Sequence, residues 1–330
     1  MNTLQEQIDN YLAYCRYQKR LDAKTLKAYR IDLKQFSGQF SNQVAHQVSN
    51  QVANQFAEQH AKPLSSMDAG EFTAAALENF IAGLHQIYQP KTVKRKIASV
   101  KAFFHYLEYR ELIQQNPFNK VRTKFREPVI LPKTIPLHTV ETILRTVYAQ
   151  CKYAKTDYQR RSALRDAAVI ELLFATGMRI SELCSLSVSD VNLCERTVLI
   201  YGKGAKERHI QIGNDDVVRT LELYKTAFSV EIKTCGHFFV NLAGRALTDQ
   251  SVRRMINKYT DLAAIELHIT PHMFRHTFAT SLLEADVDIR YIQEMLGHSS
   301  INVTEIYTHV AMNKQREILV AKHPRKGFCV

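Results

Sequence analysis

The chain lacks several things that would have named a chemistry at once. No apolar run approaches the roughly 18–20 residues that a membrane span needs, so a spanning protein is not expected. The opening MNTLQEQIDN has no basic-then-apolar signal pattern, which makes the cytoplasm the expected location. Six cysteines are scattered without one CxxC pair, so neither a disulfide framework nor a zinc ribbon is expected. GxxxxGK[ST], GxGxxG and HExxH are all absent, and with them the usual signs of nucleotide hydrolysis, hydride transfer and zinc peptidase chemistry.

Basic charge is what the chain has in excess. The formal net charge is +12 over 330 residues, and such a surface attracts polyanions. Residues 1–126 carry 18 Lys and Arg against 10 Asp and Glu, so two thirds of the excess lies in the first part. Helical periodicity dominates there. Leu4, Ile8, Tyr11, Leu12 and Cys15 form one stripe. A second helix starts after Asp22, a candidate N-cap, and interleaves Lys24, Lys27, Arg30 and Lys34 with its apolar positions. A later one opens on Lys91, Lys94, Arg95 and Lys96 and turns aromatic at Phe103, Phe104 and Tyr106. A basic half beside a packed aromatic half suits a helix leaning on a phosphate backbone, although a solvated charged face fits too.

The stretch SNQVAHQVSNQVANQF repeats glutamine and valine every four residues. That period drifts by about 40° per repeat on an α-helix. The segment reads either as an amphipathic helix or as a loosely ordered polar insertion. Four prolines between Pro117 and Pro136 mark a linker over 117–135. The expected organisation is a helical domain over 1–116 and a second, mostly helical domain over 136–330. Within the second, TVLIYGKGAKERHIQIG alternates on both sides of GKGAKE as a β-hairpin does.

His272 and His276 have a spacing that can hold zinc. Arg275 between them would repel the ion, and no metal site is expected. His272 and Arg275 instead share one helical face, a ready pair for a phosphate's non-bridging oxygens. Five segments then follow in order: ATGMRISEL, YGKGAKER, HMFRHT, LGHSS and EIYTH. Together they resemble the catalytic domain of the tyrosine recombinases, the phage-integrase family, and its Xer-like members most closely.

That resemblance implies a mainly α fold: a core-binding, SAM-like helical domain before an α-rich catalytic domain with a small β-sheet or hairpin. It implies a metal- and ATP-independent DNA strand transferase that needs no cofactor and acts on double-stranded DNA as a C-shaped clamp. It assigns Arg179, Lys203, His272, Arg275 and His298 to the catalytic set, Glu182 to a supporting role, and Tyr307 to the nucleophile. Lys24, Lys27, Arg30, Lys91, Lys94, Arg95 and Lys96 become the expected DNA contacts. A homotetramer on synapsed DNA is implied, with a second recombinase or accessory protein as a further possible partner. A helix near 311–321 would dock on a neighbouring protomer, or pack within its own. A type IB topoisomerase and a DNA-binding protein that no longer cuts are the rival readings.

Overall fold

A computed structural model describes residues 4–52, 73–125, 133–202 and 207–297, with the backbone alone over 39–52. The chain divides into two units, Met1–Val129 and Ile130–Val330, each with its own core.

The first unit holds four helices: α1 (Leu4–Tyr17), α2 (Ala23–Val52), α3 (Ala74–Ile87) and α4 (Pro90–Tyr109). Asp22 does cap α2, accepting the Thr25 backbone N–H at 2.9 Å. The α2 backbone stays helical through Val52, so the glutamine-valine stretch is helix that far, and residues 53–56 lie outside the described residues. The expected apolar stripes meet in an aromatic core. Tyr11 packs on Phe103 and Tyr106 at ring separations of 5.5 and 5.2 Å, and Phe36 meets Phe80 edge-on at 5.1 Å. Of the stretch expected as a linker, Pro117–Lys120 forms a 3-10 turn that buries Phe118 in this core. Ile135 is buried in the other core, and residues 126–132 lie outside the described residues.

The second unit is built around α6 (Asp157–Thr176), which follows α5 (Leu137–Lys152). Residues 166–173 of α6 are buried without interruption, so this helix is covered on every side rather than amphipathic. It ends at Gly177, whose φ of +58° is the left-handed conformation that closes many helices. A Cβ there would stand 2.5 Å from the Phe278 ring, so only glycine fits. Then α7 (Ile180–Ser185) leads into an antiparallel sheet of β1 (Val191–Asn192), β2 (Thr197–Tyr201) and β3 (Glu207–Gln211), in that order. The β2–β3 pair is the expected hairpin, and the short β1 adds an edge the alternation did not signal. Five further helices complete the described part: α8 (Asp215–Ala227), α9 (Ser229–Cys235), α10 (Asp249–Leu262), α11 (Pro271–Glu284) and α12 (Ile289–Leu296). Architecture is thus mainly α with one small sheet. No helix among the described residues is long and apolar enough to cross a membrane.

Candidate active site

Arg179 sits at the N-cap of α7, where a side chain that cannot accept a hydrogen bond is a poor cap. Glu182 compensates from the third helical position. Its Oε2 accepts the Arg179 backbone N–H at 2.8 Å, and its Oε1 takes the Arg179 guanidinium at 2.7 Å. A second arginine, Arg208 on β3, grips the same carboxylate through Nη1 and Nη2 at 3.2 and 2.7 Å. Burial works to raise the Glu182 carboxyl. The hydrogen bonds and charges of Arg208 and Arg179 together outweigh it and hold the group below the ordinary carboxylate range. One anion under two guanidiniums leaves a net positive charge. Arg208 is only 8% exposed in its side chain and Arg179 is 34% exposed, so the charge that faces solvent is Arg179's.

Arg275, buried on the first turns of α11, binds two backbone carbonyls. Its Nη1 donates to Gly177 at 2.9 Å and its Nη2 to Leu296 at 2.6 Å. Both oxygens lie at helix C-termini, where carbonyls have no partner within the helix and the dipole favours a cation. The arginine therefore ties the turn that precedes Arg179 to the end of α12. Gly297 closes α12 at φ +64°, and His298 is the next residue. His272 lies exposed three positions before Arg275 on α11. His276, one position beyond, is held neutral: burial first, then His272 and Arg275, lower it to about 4.

The structure thus brings Arg179, Glu182 and Arg275 into one continuous set of contacts, with His272 on the same helix as Arg275. Lys203, His298 and Tyr307 lie outside the described residues. Arg208 was not anticipated from sequence. The signal was the alternation of β3, which puts Arg208 on the buried face with Ile210, a charged residue in an apolar position.

Among the expected DNA contacts, Lys24, Lys27, Arg30, Lys91 and Lys94 are exposed on α2 and α4. Lys96 is a correction. It is 4% exposed, its Nζ donates to Asp32 at 3.2 Å and to Gln35, and it stands 4.7 Å from the Tyr88 ring centre. An ammonium so enclosed presents nothing to a phosphate. Arg95 is half exposed but also bonds Asp32.

A model of the phage integrase family matches residues 140–314, a span that contains all seven positions from Arg179 to Tyr307. A tyrosine recombinase of Agathobacter rectalis is 60% identical over 328 residues, covering 99% of either chain. Tyrosine recombinase XerC of Bacillus subtilis is 35% identical over 263 residues, 77% of this chain and 83% of that protein. Among solved structures, the XerH site-specific recombinase in a post-cleavage complex with palindromic difH DNA superposes with a TM-score of 0.69. That match has 22% identity and covers 97% of this chain and 95% of the other. A lambda integrase tetramer on a Holliday junction gives 0.63 at 16% identity, covering 90% and 78%.

Proposed function

The chain belongs to the phage integrase family, and from that premise we propose how its residues carry out the reaction of a site-specific recombinase that cuts and rejoins DNA through a tyrosine intermediate. The Tyr307 phenol oxygen attacks the scissile phosphorus, the bond to the 5′-oxygen breaks, and the DNA is left as a 3′-phosphotyrosine. One phosphodiester is exchanged for another, so rejoining draws on the same bond and consumes no nucleotide. Lys203 protonates the departing 5′-oxygen. His272 takes the phenol proton or holds the phosphate. Arg179 and His298 face the non-bridging oxygens, where charge grows in the pentavalent transition state. Arg275, bound to neutral carbonyls, adds its positive charge from behind them.

The observation that carries this reading is the double grip of Arg275 on the Gly177 and Leu296 carbonyls. It gathers three of the five motifs, which lie far apart in sequence, at one place. A positive charge fixed in this way, and segments held in place by it, need no reorganisation as charge develops on the phosphate, which is where their catalytic value lies. Glu182 supports the set by orienting Arg179.

The second unit is the catalytic domain in this reading, and the exposed lysines and arginines of α2 and α4 contact the DNA backbone from the first. The protein acts on duplex DNA in the cytoplasm. As the lambda integrase structure holds four subunits on one junction, a tetramer of this chain on two synapsed duplexes is the proposed working assembly.

The test is covalent capture. Wild type and Tyr307→Phe are incubated in EDTA with fragmented genomic DNA, including nicked duplexes, then denatured in SDS, and the attached DNA is sequenced. DNA bound to wild type alone, at a recurring sequence, is the expected result. Adducts of equal yield with Tyr307→Phe would remove Tyr307 from the role.

A further inference from the structure

We infer that Arg208 is a positioning residue for strand cleavage, an inference that rests on the activity proposed above. The side chain lies on the buried face of β3, opposite Ile200 in the sheet register, and makes three directed hydrogen bonds. Two go to Glu182. The third runs from Nε to the Met295 carbonyl in the last turn of α12, at 2.8 Å. One guanidinium therefore joins the start of α7, the hairpin strand that follows Lys203 and the end of α12 that precedes His298. Its partners lie 26 and 87 residues away in sequence.

The packing around it is specific. A Cβ on Gly297 would come 3.0 Å from Nη1 and 3.1 Å from Cδ of Arg208, so the absent side chain is what lets the guanidinium lie across the end of α12. A buried ion pair is a poor source of stability, since desolvation offsets most of its attraction and an apolar residue would fill the same space. What the arginine supplies that an apolar residue or a lysine cannot is a planar fork with donors in fixed directions. The fork fixes the Glu182 carboxylate, and the carboxylate fixes Arg179. Arg208 itself is 8% exposed in its side chain and acts through these two groups.

Arg208→Lys keeps the charge beside Glu182 and removes the fork. The probe is a nicked duplex carrying the sequence that covalent capture recovers, at saturating concentration, with single-turnover adduct formation as the readout. Cleavage is expected to slow by about 10–100-fold, the range typical for residues that orient a reacting group from behind, while DNA affinity and melting temperature stay near wild type. The same duplex is then used with a neutral methylphosphonate at the scissile position. The methyl group removes one of the two non-bridging oxygens and the ground-state charge, so less charge falls to Arg179 to neutralise and most of the deficit should vanish. General loosening of the fold would slow both substrates alike. Should Arg208→Lys melt far below wild type, Arg208→Gln serves for the same pair of substrates, because the amide leaves Glu182 to Arg179.

Equal cleavage rates for wild type and variant on the phosphodiester would overturn the inference. So would a deficit that persists undiminished on the methylphosphonate. A wild type that forms no adduct takes down the activity and this inference together, whereas a wild type that cleaves beside an equally fast variant takes down this inference alone.

Discussion

Asp32 in the first unit and Glu182 in the second face the same physical problem: a carboxylate withdrawn from water needs cationic donors close by. Both are solved with two basic side chains, and the outcomes differ. Asp32 takes Arg95, Lys96 and the Ser99 hydroxyl, the last at 2.8 Å, all from consecutive turns of α4. The network pins α2 to α4 and encloses Lys96. Glu182 takes Arg179 from its own helix and Arg208 from a strand. There one cation is enclosed and the other is left a third exposed. The same ion chemistry therefore serves as a brace in one unit and as the footing of a charged site in the other. Each network encloses one cation and leaves the other partly exposed, Arg95 at 46% and Arg179 at 34%. What separates them is where the bonds run: Asp32 joins two helices, whereas Glu182 holds the arginine at the start of its own helix against a strand.

The comparison is broken most forcefully at Asp32. Asp32→Ala leaves the Lys96 ammonium buried with only Gln35 and the Tyr88 ring, and removing one partner of a buried pair typically costs about 3–5 kcal/mol. Urea unfolding followed by circular dichroism should show that loss as a lower midpoint. A cost under about 1 kcal/mol, the ordinary worth of a surface pair, would mean that the brace is solvated after all.

The second unit should be sensitive to an added positive charge where the first has already absorbed its own. His276 ordinarily titrates near 6.5 and in the fold waits until about 4, chiefly because it is buried and then because His272 and Arg275 are close. Between those values the unfolded chain binds a proton that the folded chain refuses, so stability falls as pH drops from about 6.5 to 4 and is undiminished above. After discounting for partial exposure, the loss should be about 1–2 kcal/mol. His276→Gln should flatten the profile in that window. Glu182 acts lower: its carboxyl is held down in the fold, so its contribution is present above its ordinary range and lost only as pH falls through the depressed value. A His276→Gln profile as steep as wild type between 6.5 and 4 would assign the pH dependence to other groups.

Local features were the legible ones. The stripe of α1, the Asp22 cap and the β2–β3 hairpin all rest on neighbours within a few residues, and the structure has each of them. Motif order, rather than any one spacing, is what singled out Arg179, Glu182, His272 and Arg275 as candidates. Lys96 and Arg208 were not, for a common reason. Each sits in a run of basic residues that looks solvated, and each is buried by a carboxylate 64 or 26 positions away. The clues were present but weak. Lys96 adjoins Ile97 and falls one helical turn after Val93 and before Val100, and Arg208 shares the face of Ile210. Periodicity also left the glutamine-valine stretch open, since a four-residue repeat is compatible with a helix without demanding one. Its backbone is helical through Val52.

The finest test separates two lysines two positions apart on α4. Lys94 is exposed and Lys96 is enclosed, so only the first has a charge to offer a phosphate. Each phosphate neutralised contributes about 0.9 to the slope of log affinity against log salt concentration. Lys94→Ala should therefore lower the magnitude of that slope by about 0.9, measured by gel shift on the captured duplex across a salt series. Lys96→Met, which fills the same space without the charge and leaves Asp32 to Arg95 and Ser99, should leave the slope unchanged. The affinity difference at any one salt concentration is small, and the slope is the more discriminating quantity because nonelectrostatic contacts cancel from it. A slope that falls equally for both variants would place the Lys96 ammonium on the DNA face and return it from the brace to the binding surface.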